Sequence, residues 1–172
     1  SCLSLEYVET TAKTVSRYAF TKDAKISTVK LSNVVTIEQR GFFSCNGIKS
    51  IYLPKSLETI VDKAFWGCEA LQSVKIEDGA DLLIGKNAFA DCVNLTLVYI
   101  PASVTEIEED IFDGNSADLC VITPEGSYAE EYAINNGINY TSNTGSVTVT
   151  FDAGDGKCEK TSATYTVGDS YG

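Results

Sequence analysis

A repeat solenoid built of short parallel strands is the fold class predicted for these 172 residues, and three observations predict it. Apolar residues open units at Ile37, Ile60, Ile84 and Ile107, at intervals of 23, 24 and 23 residues. An aromatic follows five positions after each start, giving Phe42, Phe65, Phe89 and Phe112, and a weaker unit from Val15 adds Phe20. An apolar-x-x-apolar-x-apolar pattern then recurs as Ile26-Val29-Leu31, Ile48-Ile51-Leu53, Leu71-Val74-Ile76 and Leu95-Val98-Ile100. Units this short cannot bury their apolar side alone, so stacking them is how such a chain gains a core.

Each element follows in order. Counting from Cys2 places Leu5, Val8 and Val15 in the same register, so the chain starts inside a repeat. It opens Ser1-Cys2-Leu3 with no basic-then-apolar leader, and is expected to be a piece of a longer array. Before each column aromatic stands Ala19, Gly41, Ala64, Ala88 or Ile111, small in four of five, as a backbone turn beside a buried ring requires. The last two apolar positions of each core alternate as a short strand does. All three prolines, Pro54, Pro101 and Pro124, fall seventeen residues after a unit start, where a residue lacking an N–H can close a strand without breaking a ladder bond. A second apolar pair, as in Leu57/Ile60 and Val104/Ile107, leads into the next unit.

After Pro124 the pattern changes to a helix. Ser127 with Glu130 three residues on is a capping-box signal, and Gly137 is a stop. Tyr128, Ala129, Tyr132 and Ala133 share one face, so a short helix can lid the open end of the stack. Residues 1–140 are therefore read as solenoid plus cap (the cap from about 124), 141–145 as a polar linker, and 146–172 as a β-rich segment. That last segment alternates at Ser146-Val147-Thr148-Val149-Thr150-Phe151, turns at Asp152-Ala153-Gly154-Asp155-Gly156, and is too short to hold a core alone.

Ala64-Phe65-Trp66-Gly67-Cys68-Glu69-Ala70-Leu71-Gln72-Ser73-Val74-Lys75-Ile76 and Ala88-Phe89-Ala90-Asp91-Cys92-Val93-Asn94-Leu95 resemble the BspA-type leucine-rich repeats of bacterial surface proteins. The resemblance covers about residues 1–140 and implies a leucine-rich-repeat, right-handed coil, β-dominated, with a C-terminal helical cap. Departures fall at Asp23 and Asn115, which replace the repeat cysteine, and at Glu77, which replaces proline in the 24-residue unit. Residues 149–172 resemble the first half of the small β-rich repeats of internalin-like surface proteins.

Composition narrows the function. There is no histidine, which removes mechanisms that use imidazole as base, shuttle or zinc ligand. Net charge is −11, so the footprint of a nucleic-acid binder is missing, and no apolar run exceeds four residues, so this segment inserts in no membrane. Cys45, Cys68 and Cys92 share one column. Stacked rungs hold such side chains parallel at about 4.8 Å, which favours reduced, buried thiols over a bridge. Cys158 is expected to be exposed and reactive, and Cys2 and Cys120 stay unassigned. The run Glu106-Ile107-Glu108-Glu109-Asp110 reads as a solvated face, not opposed catalytic carboxylates, and the sequons at Asn94 and Asn139 receive no function. No catalytic residue, metal ligand or cofactor is assigned.

The remaining candidate is the outward strand position, which runs Glu9, Lys30, Tyr52, Lys75, Tyr99, Ile122 from rung to rung. Lys30, Tyr52, Lys75 and Tyr99 are the expected binding residues: tyrosine offers rigid amphipathic area and lysine a charged donor. The residues alone accommodate a recognition face or a plain stalk displaying another domain. The resemblance implies a non-catalytic cell-surface or secreted module adhering to host matrix proteins, glycoproteins or other cells. A carbohydrate-binding or carbohydrate-processing protein ranks last, its aromatic candidates being Trp66, Tyr52 and Tyr99.

Overall fold

The structure, a computed structural model, describes residues 6–143. The chain runs β1 (Tyr7–Thr10), β2 (Thr14–Val15), β3 (Thr28–Leu31), β4 (Thr36–Ile37), β5 (Ser50–Leu53) and β6 (Thr59–Ile60). It continues through β7 (Ser73–Ile76), β8 (Leu83–Ile84), β9 (Leu97–Tyr99), β10 (Glu106–Ile107), β11 (Cys120–Pro124), α1 (Tyr128–Asn135) and β12 (Asn139–Asn143). The two-residue strands pair in the order β10-β8-β6-β4-β2, and the longer ones in the order β12-β11-β9-β7-β5, with β1-β3 as a separate pair. Every pairing is parallel and in repeat register, so the molecule is a β-solenoid of about six turns.

The core lies between the two sheets. From the longer strands Val29, Leu31, Ile51, Leu53, Val74, Ile76 and Val98 face inward, and each two-residue strand supplies one buried residue: Val15, Ile37, Ile60, Ile84 or Ile107. Side chains alternate along a strand, which is why the residues between these point out. The aromatic column closes the core at the turn. Phe20, Phe42, Phe65 and Phe89 stack with ring centroids 5.1 Å apart at each step, and the last step, to Phe112, opens to 6.1 Å and 27°. Rung spacing sets this separation, since one ring per rung must fall near the strand repeat of about 4.8 Å.

Each turn carries two residues in the left-handed region. Three positions after the unit start stand Tyr18, Arg40, Lys63, Asn87 and Asp110, with φ of 55–59°; seven positions after it stand Lys22, Ser44, Gly67, Asp91 and Gly114. Only glycine adopts this conformation without steric cost.

The thiol column is as expected: Cys45, Cys68 and Cys92 are free and buried. Each Sγ–H donates to the carbonyl of the phenylalanine one rung back, Cys45 to Phe20, Cys68 to Phe42 at 3.0 Å and Cys92 to Phe65 at 3.2 Å. Burial pushes the Cys45 thiol up to about 12, and the adjacent Cys92 thiol together with burial holds Cys68 well above the ordinary thiol value. In the last rung Asn115 replaces cysteine, and its Oδ1 accepts the Cys92 N–H at 2.8 Å. Cys120 is disulfide-bonded, while Cys2 and Cys158 lie outside the described residues.

Helix α1 covers the open end. Ser127 Oγ accepts the Glu130 N–H at 3.1 Å and shares a hydrogen bond with buried Thr123 at 2.6 Å, while Glu130 Oε2 accepts from Gly126 N–H. Gly137, at φ 64°, ends the helix with the paired bonds Gly137 N–H to Ile134 and Ile138 N–H to Ala133, a Schellman motif. Ala129 and Ala133 face the core and Tyr132 is half-buried, its hydroxyl accepting the Ile111 N–H at 3.2 Å. The expected fourth member of that face, Tyr128, instead stands 44 % exposed. Two alanines bring the helix backbone close to the last rung, and a ring one turn nearer the helix start finds no comparable partner among the described residues.

Strand β12 pairs with β11 from Asn139 against Cys120 through Asn143 against Pro124. Thr141, Ser142 and Asn143, placed by composition in a 141–145 linker, are thus strand. Parallel pairing uses backbone groups alone, and β11 would otherwise present an open edge. The rest of the linker and the β-rich segment 146–172 lie outside the described residues.

Candidate functional site

The outward column forms, but not as one uniform face. Glu9 pairs with Lys30 across β1 and β3; Tyr52, Lys75, Tyr99 and Ile122 are consecutive partners across β5, β7, β9 and β11. Lys30 sits across a break in the ladder, since β3 and β5 belong to different sheets. Its charge is also engaged: Nζ lies 3.1 Å from Glu9 Oε1, and Tyr7 donates its hydroxyl hydrogen to Glu9 Oε2 at 2.9 Å. The Tyr7 hydrogen bond and then Lys30 lower the Glu9 carboxyl, and Glu9 raises the Lys30 ammonium. Tyr52 and Lys75 are half-exposed neighbours, with Lys75 Nζ 5.3 Å from the Tyr52 ring centroid.

Tyr99 corrects the expectation of an outward ring: it is only 4 % exposed, and Ile122 beside it 5 %. The cause is the extra residue of the 24-residue unit. After β7 the chain turns through Glu77, Asp78 and Gly79, with Gly79 at φ 86°. Glu77 Oε2 accepts the Lys55 N–H one rung back, Asp78 Oδ1 accepts the Tyr99 hydroxyl at 2.7 Å, and Gly79 N–H reaches Ser103 Oγ one rung on. This loop replaces the proline exit and closes over Tyr99. Burial first, then the Asp78 hydrogen bond, hold the Tyr99 phenol well above its ordinary value. Tyr99 is a structural residue.

A second outward file, on the turn side, lies one position beyond the phenylalanine column. There Phe43 and Trp66 stack at 4.9 Å and 16°. The Arg40 guanidinium lies 5.3 Å from the Phe43 centroid and 5.8 Å from that of Tyr18, and its Nη1 donates to the Tyr18 hydroxyl at 2.9 Å. Arg17 sits 5.1 Å from the same Tyr18 ring. Hydrogen bonding to Arg40, then to Arg17, lowers the Tyr18 phenol. Five side chains from three rungs thus form one cation–aromatic file. Of these five residues, the sequence reading singles out only Trp66. Phe43 shares the column Thr21, Phe43, Trp66, Ala90, Asp113, and Tyr18 and Arg40 share the column Tyr18, Arg40, Lys63, Asn87, Asp110; neither keeps one residue type, so both are invisible to a search for periodicity.

Other sequence features are accounted for locally. Glu108 Oε2 accepts the Lys86 N–H, and Glu109 and Asp110 pair with Lys86 Nζ at 3.0 and 3.7 Å. The amide nitrogens of Asn94 and Asn139, the sequon residues, donate to Glu69 O and Ala117 O. Among the described residues no helix is long and apolar enough to cross a membrane, and no cluster of His, Cys, Asp or Glu is arranged to hold a metal.

The model of the BspA-type leucine-rich repeat region matches residues 1–144 in six copies. The chain belongs to this family. A leucine-rich repeat protein from Bacteroides ovatus is 32 % identical, over 58 % of this chain and 26 % of that one, with a TM-score of 0.53. The pneumococcal vaccine antigen PcpA is 27 % identical, over 70 % of this chain and 30 % of that one, with a TM-score of 0.62. The matched part of this BspA-type chain covers about a quarter to a third of each of these two structures. No curated protein matches it.

Proposed function

We propose that this BspA-type chain is a non-catalytic recognition module, secreted or held at a bacterial cell surface, that adheres to host matrix proteins or other cells through the exposed part of its strand face. The observation that supports this reading most is the contiguous Tyr52–Lys75 pair, half-exposed on a parallel sheet whose register holds both side chains in place. Rigid aromatic area beside a presented ammonium is what a protein surface needs to anchor a partner. The test is binding to an array of matrix glycoproteins, comparing the natural chain with Tyr52→Ala/Lys75→Ala. Saturable binding lost in the double variant, with unchanged melting, is expected; binding that survives it overturns the strand face as the site.

The stalk reading has its own support. Lys30 is tied to Glu9 and Tyr99 is buried, so the free strand face is shorter than the column of residue types implies. A chain that binds no component of the array would favour it.

A further inference from the structure

We infer that the turn face of the three rungs opening at Val15, Ile37 and Ile60 is a second binding surface, for a linear anionic glycan bearing carboxylate or sulfate groups. Its members are Arg17, Tyr18, Arg40, Phe43 and Trp66, flanked by Lys22 and Lys63.

Charge along the turns is segregated. From two to seven positions after the unit start, these three rungs carry Arg17, Lys22, Arg40 and Lys63 against one acid, Asp62. The next two rungs carry Asp91, Glu109, Asp110 and Asp113 against Lys86, which is ion-paired. Among the described residues none of the four N-terminal cations forms a salt bridge, whereas Lys30 and Lys86 both do. The nearby Glu38 carboxylate is turned to the backbone, accepting the Arg17 N–H at 2.7 Å. A basic field of this kind in a chain of net charge −11 is local and needs a local reason.

Backbone strain points the same way. Tyr18, Lys22, Arg40 and Lys63 all project from left-handed residues at φ 59°, and at the turn position of Lys22 two other rungs carry glycine, Gly67 and Gly114. A lysine held at Lys22, where glycine is easier and is used elsewhere in the array, marks a position at which the side chain matters.

The aromatic geometry selects the ligand. Phe43 and Trp66 stack along the solenoid axis, so one face of each ring is engaged with the other, the Arg40 guanidinium lies by the Phe43 ring, and the ring edges point away from the axis. Ring edges carry the positive part of the quadrupole, which complements an anion. A polyanionic chain lying along the axis requires only a row of guanidinium and ammonium groups with aromatic sides. Arg40 is fixed in that row by the Tyr18 hydroxyl and by the Phe43 ring.

The test uses the whole chain with heparin, polygalacturonate, neutral dextran and poly-glutamate as probes, titrated at low and physiological salt. Non-specific attraction of polyanions to so acidic a protein is not expected, which makes binding diagnostic. Saturable, salt-sensitive binding of heparin or polygalacturonate is expected, weakened at least about tenfold both in Arg17→Gln/Arg40→Gln and in Lys22→Gln/Lys63→Gln. The second pair leaves the packed guanidinium in place, so it reads the surface even if loss of Arg40 impairs folding. Tyr52→Ala/Lys75→Ala should bind the glycan as the natural chain does, which separates this surface from the strand face. The inference is overturned if neither glycan binds at low salt, if both charge-removing pairs bind normally, if the strand-face variant loses glycan binding, or if poly-glutamate binds as tightly as the glycans.

Discussion

Tyr52 and Tyr99 occupy the same column of the same repeat, two rungs apart, and have opposite fates. Tyr52 is half-exposed beside Lys75, whereas Tyr99 is sealed beneath Asp78 and bonded to its carboxylate. The contrast extends to the halves of the array. N-terminal rungs present basic and aromatic side chains on both strand and turn faces; C-terminal rungs have a buried strand column, acidic turns and a helical lid. The repeat thus fixes where a side chain leaves the backbone. What stands above it is decided by residues outside the repeat rule, here one inserted residue and a cap.

The interior that both halves share should be most sensitive. Phe65→Ala is expected to lower stability by about 3–5 kcal/mol, with Phe112→Ala clearly milder because its ring is already displaced at the end of the column. Equal losses in denaturant melts would mean that the column is not graded from centre to end.

The thiol column makes stability fall with alkali. Because Cys45 and Cys68 hold their protons more tightly folded than unfolded, the folded state binds more protons once pH passes the ordinary thiol value of 9.0. Their contribution is complete below that pH and is lost as pH rises toward about 12, where Cys45 ionises in the fold. Cys45→Ala/Cys68→Ala should flatten this alkaline decline; an unchanged slope would assign it elsewhere.

The two tyrosines give the direct comparison. Tyr99→Ala should cost about 2–4 kcal/mol, since it empties a buried site and leaves Asp78 without its donor, while Tyr52→Ala should cost under about 1 kcal/mol. Similar costs would show that the loop does not protect Tyr99. Effects in the turns are smaller than those at Phe65 and Tyr99. Gly67→Ala should cost about 1–2 kcal/mol and Lys63→Gly should raise stability by about 0.5 kcal/mol, each read from the melting midpoint. A loss in Lys63→Gly would mean that its side chain, and not its strained backbone, governs the position.

Much of the fold was legible in the chain because it is periodic. The Phe column, the thiol column and the parallel register each repeat one packing contact, and a contact repeated three or four times leaves a signal that a single one does not. The cap was legible from its own chemistry, with Ser127, Glu130 and Gly137 in the roles their types imply. Exposure was not legible, because it depends on neighbours distant in sequence. Tyr99 is covered by Asp78 from the rung before, and Tyr128 is left outside by a helix that seats on alanines. The Arg40–Phe43–Trp66 file is not legible for the converse reason, since it obeys no repeat.

By itself, the sequence determined the rung, its inward residues and the order of stacking, since units of 22–24 residues with apolar residues at fixed offsets have one economical way to bury them. Only the tertiary structure decided which outward residues reach solvent and which are brought together. Side chains on different rungs meet through space, across about 4.8 Å of stacking, and no spacing along the chain encodes what the loop of a neighbouring rung will cover.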